Sequence, residues 1–195
     1  MPWNISNFSA PQVDLVGQED DGQQGAYVIP KNCAVSTAGI VPPQNSLYVV
    51  RFRPGRTFSV QSVCVVVTTA SASNDNGDVG IWSGTGTLLG SAGSTAGKLN
   101  VAGVSVFPLT TAVTLSPGST YYFGFAYGAS GAPGTLAAIV SPLSNNAATQ
   151  VFGAAYPAAE LAKPTITGVP ISSNASPLPA YAAVGTAPLL AVREY

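Results

Sequence analysis

Hydrophobic and polar residues alternate with period two along most of the segment from residue 57 to residue 128. The run 57–69 is rich in β-branched residues and has the length of a long strand. A regular alternation would place Phe58, Val60, Cys64 and Val66 on one face of that strand and the valines at positions 63, 65 and 67 on the other. The pattern therefore predicts a strand that is apolar on both faces.

Short strands and turns follow one another after this run. In chain order they are a polar turn at 73–78, a strand at 79–82, a glycine-rich turn at 83–86, a strand at 87–90, a strand at 113–115, a turn at 116–118 and a strand at 120–127. Alternation bounded by Gly, Pro, Asn and Asp is typical of antiparallel strands joined by tight turns. The sequence predicts an all-β protein with an antiparallel β-sandwich.

The chain divides into an N-terminal part and a sandwich domain. Residues 1–45 are polar and mixed, and we predict that they form an attachment arm or outer strands. Residues 46–195 form the predicted sandwich domain, whose closing strand lies at 187–193. Within it, residues 142–186 are rich in Ala, Pro and Ser and lack a strand pattern. A loop of that length is usually functional, so we predict an interface loop there.

Charged residues are scarce. They make up 8% of the 195 residues, and none lies between Lys98 and Glu160, whereas ordinary soluble proteins contain roughly 25%. That stretch is too often interrupted by polar residues to insert into a membrane. A surface poor in charge favours association with other proteins, so we predict a chain that works inside an assembly. The candidate assembly contacts are the apolar residues of the arm, namely Trp3, Ile5, Phe8, Val13 and Leu15.

The net charge of −1 provides no field that would attract nucleic acid. The basic cluster of Arg51, Arg53 and Arg56 is explained by a strand that carries arginines on one face and ends at a Pro-Gly turn. No signal peptide is recognisable near Met1, so we expect synthesis in a cytoplasm. Cys33 and Cys64 could pair, but buried thiols are the expectation in a reducing compartment.

The residues available for catalysis are few. The chain contains no histidine, which removes the histidine-based triads and histidine-ligated metals. Asp75 and Asp78 are the remaining pair, and they could serve glycoside hydrolysis or bind calcium. Turn chemistry explains them better, because Asp and Asn side chains bond their own backbone in such loops. We therefore expect no enzyme and no cofactor, with calcium only as a weak candidate.

Aromatic residues are the other candidates for ligand contact. Tyr121, Phe123, Phe125 and Tyr127 share one face of a strand. Such a ladder could stack on a sugar, but it more often fills the middle of a sandwich, and we favour the core. Trp82 lies at a strand end before a glycine-rich turn, which makes it the candidate for an exposed ligand-binding residue.

The order of these motifs resembles a jelly-roll module of tail, fibre and other virion proteins of double-stranded DNA bacteriophages. The resemblance covers residues 55–193. It rests on the valine-rich strand at 58–69, Gly-Ile-Trp at 80–82, Gly-Thr-Leu-Leu at 86–89, the Pro-Gly hairpin at 113–118, the Tyr-Tyr-Phe run at 121–123 and the ending at 177–193. It implies a jelly-roll-like sandwich without catalytic residues, attached through residues 1–45.

Three functions follow as hypotheses. The first is a structural virion protein of a phage tail tip or fibre, a homo-oligomer with a trimer favoured, which binds other virion proteins and could contact a host-surface glycan. The second is a capsid decoration or head-fibre protein. The third is a secreted carbohydrate-binding module or small glycosidase, which the lack of a recognisable signal peptide disfavours. The first places the protein in the virion, with no nucleic-acid partner.

Overall fold

The structure is a computed structural model that describes residues 25–28, 34–72, 76–128, 133–140, 161–164, 166, 169–179, 181–183 and 186–194. Within these residues nearly all regular structure is β-strand. The strands are β1 (Gly25–Val28), β2 (Ala34–Val35), β3 (Ser46–Phe52), β4 (Phe58–Thr69), β5 (Asn76–Ser83), β6 (Leu88–Ser91), β7 (Thr95–Ala96), β8 (Gly103–Leu115), β9 (Tyr121–Tyr127), β10 (Thr135–Leu136), β11 (Ala138–Val140), β12 (Leu161–Pro164), β13 (Tyr181–Ala183), β14 (Thr186–Pro188) and β15 (Leu190–Glu194). One helical turn, α1 (Ile171–Asn174), lies between β12 and β13.

Two antiparallel sheets make up the body of the molecule. The larger sheet has the order β13-β12-β3-β9-β5-β6, and β7 pairs with β5. The smaller sheet has the order β1-β15-β4, with β8 on the other side of β4 and β10 near the end of β4. Strands β14, β11 and β2 form a further short sheet. The prediction of an all-β antiparallel sandwich is confirmed.

The long strands alternate between the two sheets as the chain proceeds. Strands β3, β5 and β9 belong to the larger sheet, and β4 and β8, which alternate with them along the chain, belong to the smaller one. Each sheet therefore supplies one apolar face to a shared core, the arrangement of a β-sandwich. The core contains the ladder on β9, Val79 and Ile81 of β5, and Phe107 and Leu115 of β8.

A β-bulge in β4 corrects the predicted faces of that strand. Ser62 lies opposite Arg193 of β15 and Val60 lies opposite the next residue, Glu194, so Gln61 is an extra residue on β4 relative to β15. On the other side of β4, Val60 lies opposite Val113 of β8 and Ser62 lies opposite Pro108. A bulge shifts the alternation by one position. Val60 is consequently buried in the core with the valines at 63, 65 and 67, whereas the sequence prediction had placed it with Cys64 and Val66.

The irregular pairing between β4 and β8 also allows β8 to connect the two sheets at one side of the sandwich. Residues 109–112 of β8 lie between the two registers and have no partner on β4. The Thr110 hydroxyl in this segment donates a hydrogen bond to the Ser91 carbonyl of β6 at 3.0 Å. The edge strand of the smaller sheet is thereby joined to the edge strand of the larger one.

The terminal parts of the chain meet in the smaller sheet. Strand β15 pairs with β4, which confirms the predicted closing strand. Strand β1 pairs in turn with β15, so residues 25–28 are an outer strand of the sandwich. Within the predicted loop 142–186, the described residues include β12, α1 and β13, and β12 pairs with β3 of the larger sheet. In the described part of the chain, no helix is long and apolar enough to cross a membrane.

Candidate functional site

Trp82 is buried, and the prediction that it is an exposed ligand-binding residue is wrong for this conformation. Its side chain is 0% exposed, and its indole Nε1–H donates a hydrogen bond to the Ala175 carbonyl at 2.8 Å. The segment that includes α1 returns over the outer face of the larger sheet and covers the ring. Trp82 is therefore part of a second apolar cluster, with Leu47, Val49, Tyr122, Ala126, Ile166, Ile171 and Ala175.

Two glycines make room for the indole ring. Gly80 on β5 and Gly124 on β9 lie directly opposite each other. A Cβ atom added at Gly80 would lie 2.8 Å from Trp82 Cη2, and one at Gly124 would lie 2.7 Å from Trp82 Cζ3. The ring therefore lies against bare backbone on two neighbouring strands. The sequence analysis did not predict that the indole ring packs on these glycines, although the glycine within the aromatic strand 121–127 was a signal for it.

Asp78 is also buried, on the same face of β5 as Trp82. Its carboxyl group is 0% exposed, and Oδ2 accepts a hydrogen bond from the Ile171 N–H at 2.7 Å. Oδ1 receives no hydrogen bond of normal geometry. Burial raises the pKa of Asp78, and the backbone N–H groups of Ile171, Val79, Ala92 and Gly93 partly oppose that shift. The N–H dipoles of the last three act on the carboxyl group without forming a well-aligned bond to Oδ1.

The two side chains hold one chain segment at two points. Asp78 binds the first residue of α1, and Trp82 binds the residue that follows α1. We call these two hydrogen bonds the clasp. Because the clasp and the apolar cluster cover this part of the larger sheet, Asp78 does not face solvent. In this conformation Asp78 is an acceptor for the Ile171 N–H, and no group of three or more metal-binding side chains occurs among the described residues. Asp75 lies outside them.

Asp78 should make the stability of the protein depend on pH. Since its folded-state pKa is raised, ionisation in the folded state costs free energy as pH rises above the unfolded value of about 3.9. We expect that the free energy of unfolding of Asp78→Asn, relative to wild type, increases between that pH and the raised folded-state pKa. Asn keeps an oxygen for the Ile171 N–H. Urea unfolding from pH 3.5 to pH 7 measures this difference, and a relative loss of stability in the variant as pH rises would contradict the prediction.

The arginines of the basic cluster contact residues of the sandwich itself. Val50 and Phe52 are buried, and Arg51 between them is half-buried. Arg53 Nε donates to the Thr120 hydroxyl at 2.9 Å, and the Arg56 guanidinium lies 5.6 Å from the centre of the Phe58 ring. The cluster is therefore bound to the sandwich itself, as the strand interpretation predicted.

The aromatic ladder lies in the core, as the sequence analysis favoured. Tyr121, Phe123, Phe125 and Tyr127 are all buried between the sheets. Phe123 packs edge-to-face on Phe52 with 5.5 Å between ring centres, and Phe125 packs on Phe107 at 6.1 Å. None of the four presents a ring face to a sugar.

An apolar surface remains on the outer face of the smaller sheet. Ala191, Cys64 and Val106 lie side by side on β15, β4 and β8, and Val66 lies opposite Val104 in the next row along. We call these five residues the apolar strip. Val104 is 45% exposed, Cys64 is buried, and the other three are half-buried. The strip is the candidate functional site, because a neutral sheet face of this kind suits a protein partner.

The predicted contacts of the arm lie outside the described residues. This applies to Trp3, Ile5, Phe8, Val13 and Leu15, so their role in assembly stays a prediction. Cys33 lies outside as well, and its relation to Cys64 stays open. The apolar strip was not a sequence-based candidate. The uncharged residues at outward-facing positions of β4 and β8 were the sequence signal for the strip. The irregular register concealed which positions face outward.

Comparison with known proteins leaves the family open. No protein-family model matches the chain, and no curated protein matches it, so the resemblance to the phage jelly-roll module has no family match in support. Among solved structures, the crystal structure of the infectious bursal disease virus VP2 subviral particle aligns with 87% of this chain at 12% identity, with a TM-score of 0.28. The chain covers 40% of that VP2 chain. A TM-score this low carries no argument about function.

Proposed function

We propose that this chain is a non-enzymatic structural protein of a bacteriophage virion, a minor tail, tail-tip or fibre component that binds other virion proteins. The apolar strip is the observation that carries the proposal. A three-strand face without charged side chains at its centre is suited to burial against protein. The motif order in residues 55–193 supplies the virion context as a resemblance. Capsid decoration is the alternative location.

The burial of the candidate site residues does not favour a glycosidase or a carbohydrate-binding module. Asp78 is enclosed by the clasp and cannot meet a substrate in this conformation. Trp82 and the aromatic ladder are enclosed as well, so glycan contact finds no support in them. A glycosidase or a carbohydrate-binding module would need these groups at an open surface. Assembly needs only the surfaces that the fold leaves exposed.

Attachment of the protein to the particle should require residues 1–24 and should change little with salt concentration. Deleting them removes no described strand, because β1 begins at Gly25. We expect the truncated protein to melt cooperatively but to be lost from particles, whereas intact protein should remain bound through a few hundred millimolar salt, because apolar burial is barely screened. Mass spectrometry of particles purified from cells that express either form measures incorporation, and labelling by electron microscopy separates tail from capsid.

A matched pair of variants identifies the chemistry of the contact. In the first, Trp3, Ile5, Phe8, Val13 and Leu15 are changed to serine. In the second, Glu19, Asp20 and Asp21 are changed to their amides. We expect the first to lose incorporation and the second to keep it. Normal incorporation of the truncated protein, or release of the intact protein by moderate salt, would contradict the attachment model.

A further inference from the structure

Residues 169–179, which we call the strap, pack on the outer face of the larger sheet and take no part in the core between the sheets. Ile171 and Ala175 are buried in the second apolar cluster, and Val169 and Leu178 pack against it partly buried. None of these four residues belongs to the core cluster that the two sheets share. The described residues of that core would therefore keep their contacts with one another if the strap left the sheet.

Hydrogen bonds fix the strap along a single strand of the sheet. The clasp supplies two of them, and the Leu178 N–H donates a third to the Gly86 carbonyl at 2.8 Å. The partners on the sheet are Asp78 and Trp82 on β5 and Gly86 in the turn that follows it, each four positions from the last. The bonds therefore follow one another along β5, and loss of one would loosen the segment that the next one holds.

Little of the strap is buried. Ile171 and Ala175 are its buried residues, whereas Ser172, Ser173 and Ser176 are exposed to solvent. A segment with few buried apolar groups opens at a lower free energy than the core of its domain. Because the sheet also separates the strap from that core, the strap has the features of a unit that opens by itself.

The closed strap is a poor environment for an ionised Asp78. The carboxyl group is 0% exposed, the Ile171 N–H is bonded to Oδ2, and among the described residues no hydrogen bond of normal geometry reaches Oδ1. Burial raises the pKa of Asp78. When the strap opens, both oxygens reach water and the pKa returns towards its ordinary value of about 3.9. The ionised carboxyl group therefore favours the open strap.

The elements packed against Asp78 provide no charge to offset this effect. Strands β6, β7 and β8 and the turn α1 contain no charged residue. On the face of Asp78, β9 carries Tyr122 as its titratable group, while on β3 Leu47 lies in the row of Asp78 and Arg51 four positions farther along. Lys98 follows β7 in the chain. None of these side chains contributes to the shift in the pKa of Asp78, which comes from burial and backbone N–H groups.

We propose that the strap opens from the larger sheet as one unit while the sandwich stays folded, and that ionisation of Asp78 promotes this opening. The open fraction rises as pH increases from about 3.9 to the raised pKa of the closed form and is constant above it. Opening uncovers Trp82 and Tyr122, which lie opposite each other on β5 and β9. The strap is thus a cover over an aromatic face, held most firmly at acidic pH. This inference goes beyond the proposed function and does not depend on it.

Hydrogen exchange of the whole 195-residue chain tests the pH dependence. Protection factors of the Ile171, Ala175 and Leu178 amides, measured by NMR, correct for the intrinsic effect of pH on exchange. We expect them to fall at least about threefold from pH 4 to pH 8. Asp78→Asn keeps an oxygen for the Ile171 N–H and should give equal factors at both pH values. Constant factors in wild type, or a fall that persists in the variant, would overturn the role of Asp78.

A titration of wild type provides the same decision if Asp78→Asn does not fold. The ¹³C chemical shift of the Asp78 carboxyl group reports its ionisation directly. We expect the opening constant of the strap, which is the inverse of the protection factor, to reach half of its final value at the midpoint of that titration. A rise in the opening constant with a different midpoint would assign the pH dependence to another group and overturn the proposal.

Two variants test whether the strap opens by itself. Phe58→Ala removes a ring that packs against the core between the sheets, so the Phe123 amide of β9 should lose protection at least about threefold, while the strap amides keep theirs. Trp82→Phe removes one hydrogen bond of the clasp, so the strap amides should lose protection about fivefold or more. An equal loss at Phe123 and in the strap of Phe58→Ala would show that the strap opens only when the sandwich unfolds. Unchanged strap protection in Trp82→Phe would overturn the proposal as well.

Discussion

Trp82→Ala should lower the free energy of unfolding by about 3–5 kcal/mol, the range for removal of a large buried aromatic side chain. The ring is fully buried and joins the larger sheet to the residues around α1. Its loss leaves a cavity above Gly80 and Gly124 and removes the hydrogen bond to the Ala175 carbonyl. A typical domain has only about 5–15 kcal/mol of stability, so the variant should be near the limit of folding.

Urea unfolding followed by far-ultraviolet circular dichroism measures this loss without relying on tryptophan fluorescence. Limited proteolysis should also show faster cleavage within residues 169–179 in Trp82→Ala. Trp82→Phe is the control: it retains most of the apolar contact and leaves the Ala175 carbonyl without its donor, so about 1–3 kcal/mol should be lost. A fall of less than 1 kcal/mol for Trp82→Ala would show that the indole is not part of the core.

Phe123→Ala should destabilise the sandwich by a similar amount, about 3–5 kcal/mol. Phe123 lies at the middle of β9, is 0% exposed, and packs edge-to-face on Phe52. Its ring belongs to the core that both sheets share, so the cavity left by alanine would affect the whole sandwich. Unfolding in urea should remain a single transition with a lower midpoint.

Phe58→Ala is the matched control for Phe123→Ala. Phe58 also packs edge-to-face on Phe52, at 6.3 Å between ring centres, but it is only half-buried and lies at the start of β4. Its removal takes less apolar area out of the folded core, so we expect less than half of the loss seen for Phe123→Ala. If Phe123→Ala kept wild-type stability and instead abolished binding to a glycan, the ladder would be a ligand platform.

The fold class was predictable because it depends on local alternation. A strand such as β9 carries its whole pattern within seven residues, and the Gly and Pro residues around it end the strand wherever it lies in the fold. The same local information identified the aromatic ladder as core. It also identified the closing strand, since residues 187–192 are apolar and follow Gly185.

The bulge at Gln61 could not be predicted in this way. The residues from 60 to 63 fit a regular strand and a bulged one equally well, because small and polar residues stand where the phase changes. Only the pairing with β8 and β15 selects the bulged register. That selection moved Val60 into the core and left Cys64 and Val66 on the outer face, where they form part of the apolar strip.

The sequence by itself determined the strands, the class of fold and the shortage of charge, because these depend on composition and on neighbours along the chain. The tertiary structure decided which side chains are accessible. Trp82 and Asp78 had the local context of exposed residues, and both are buried by hydrogen-bonded partners 93 positions later in the chain. Burial is a property of what packs over a residue, and a segment without its own pattern, such as residues 169–179, acquires a position only when the sheet beneath it has formed.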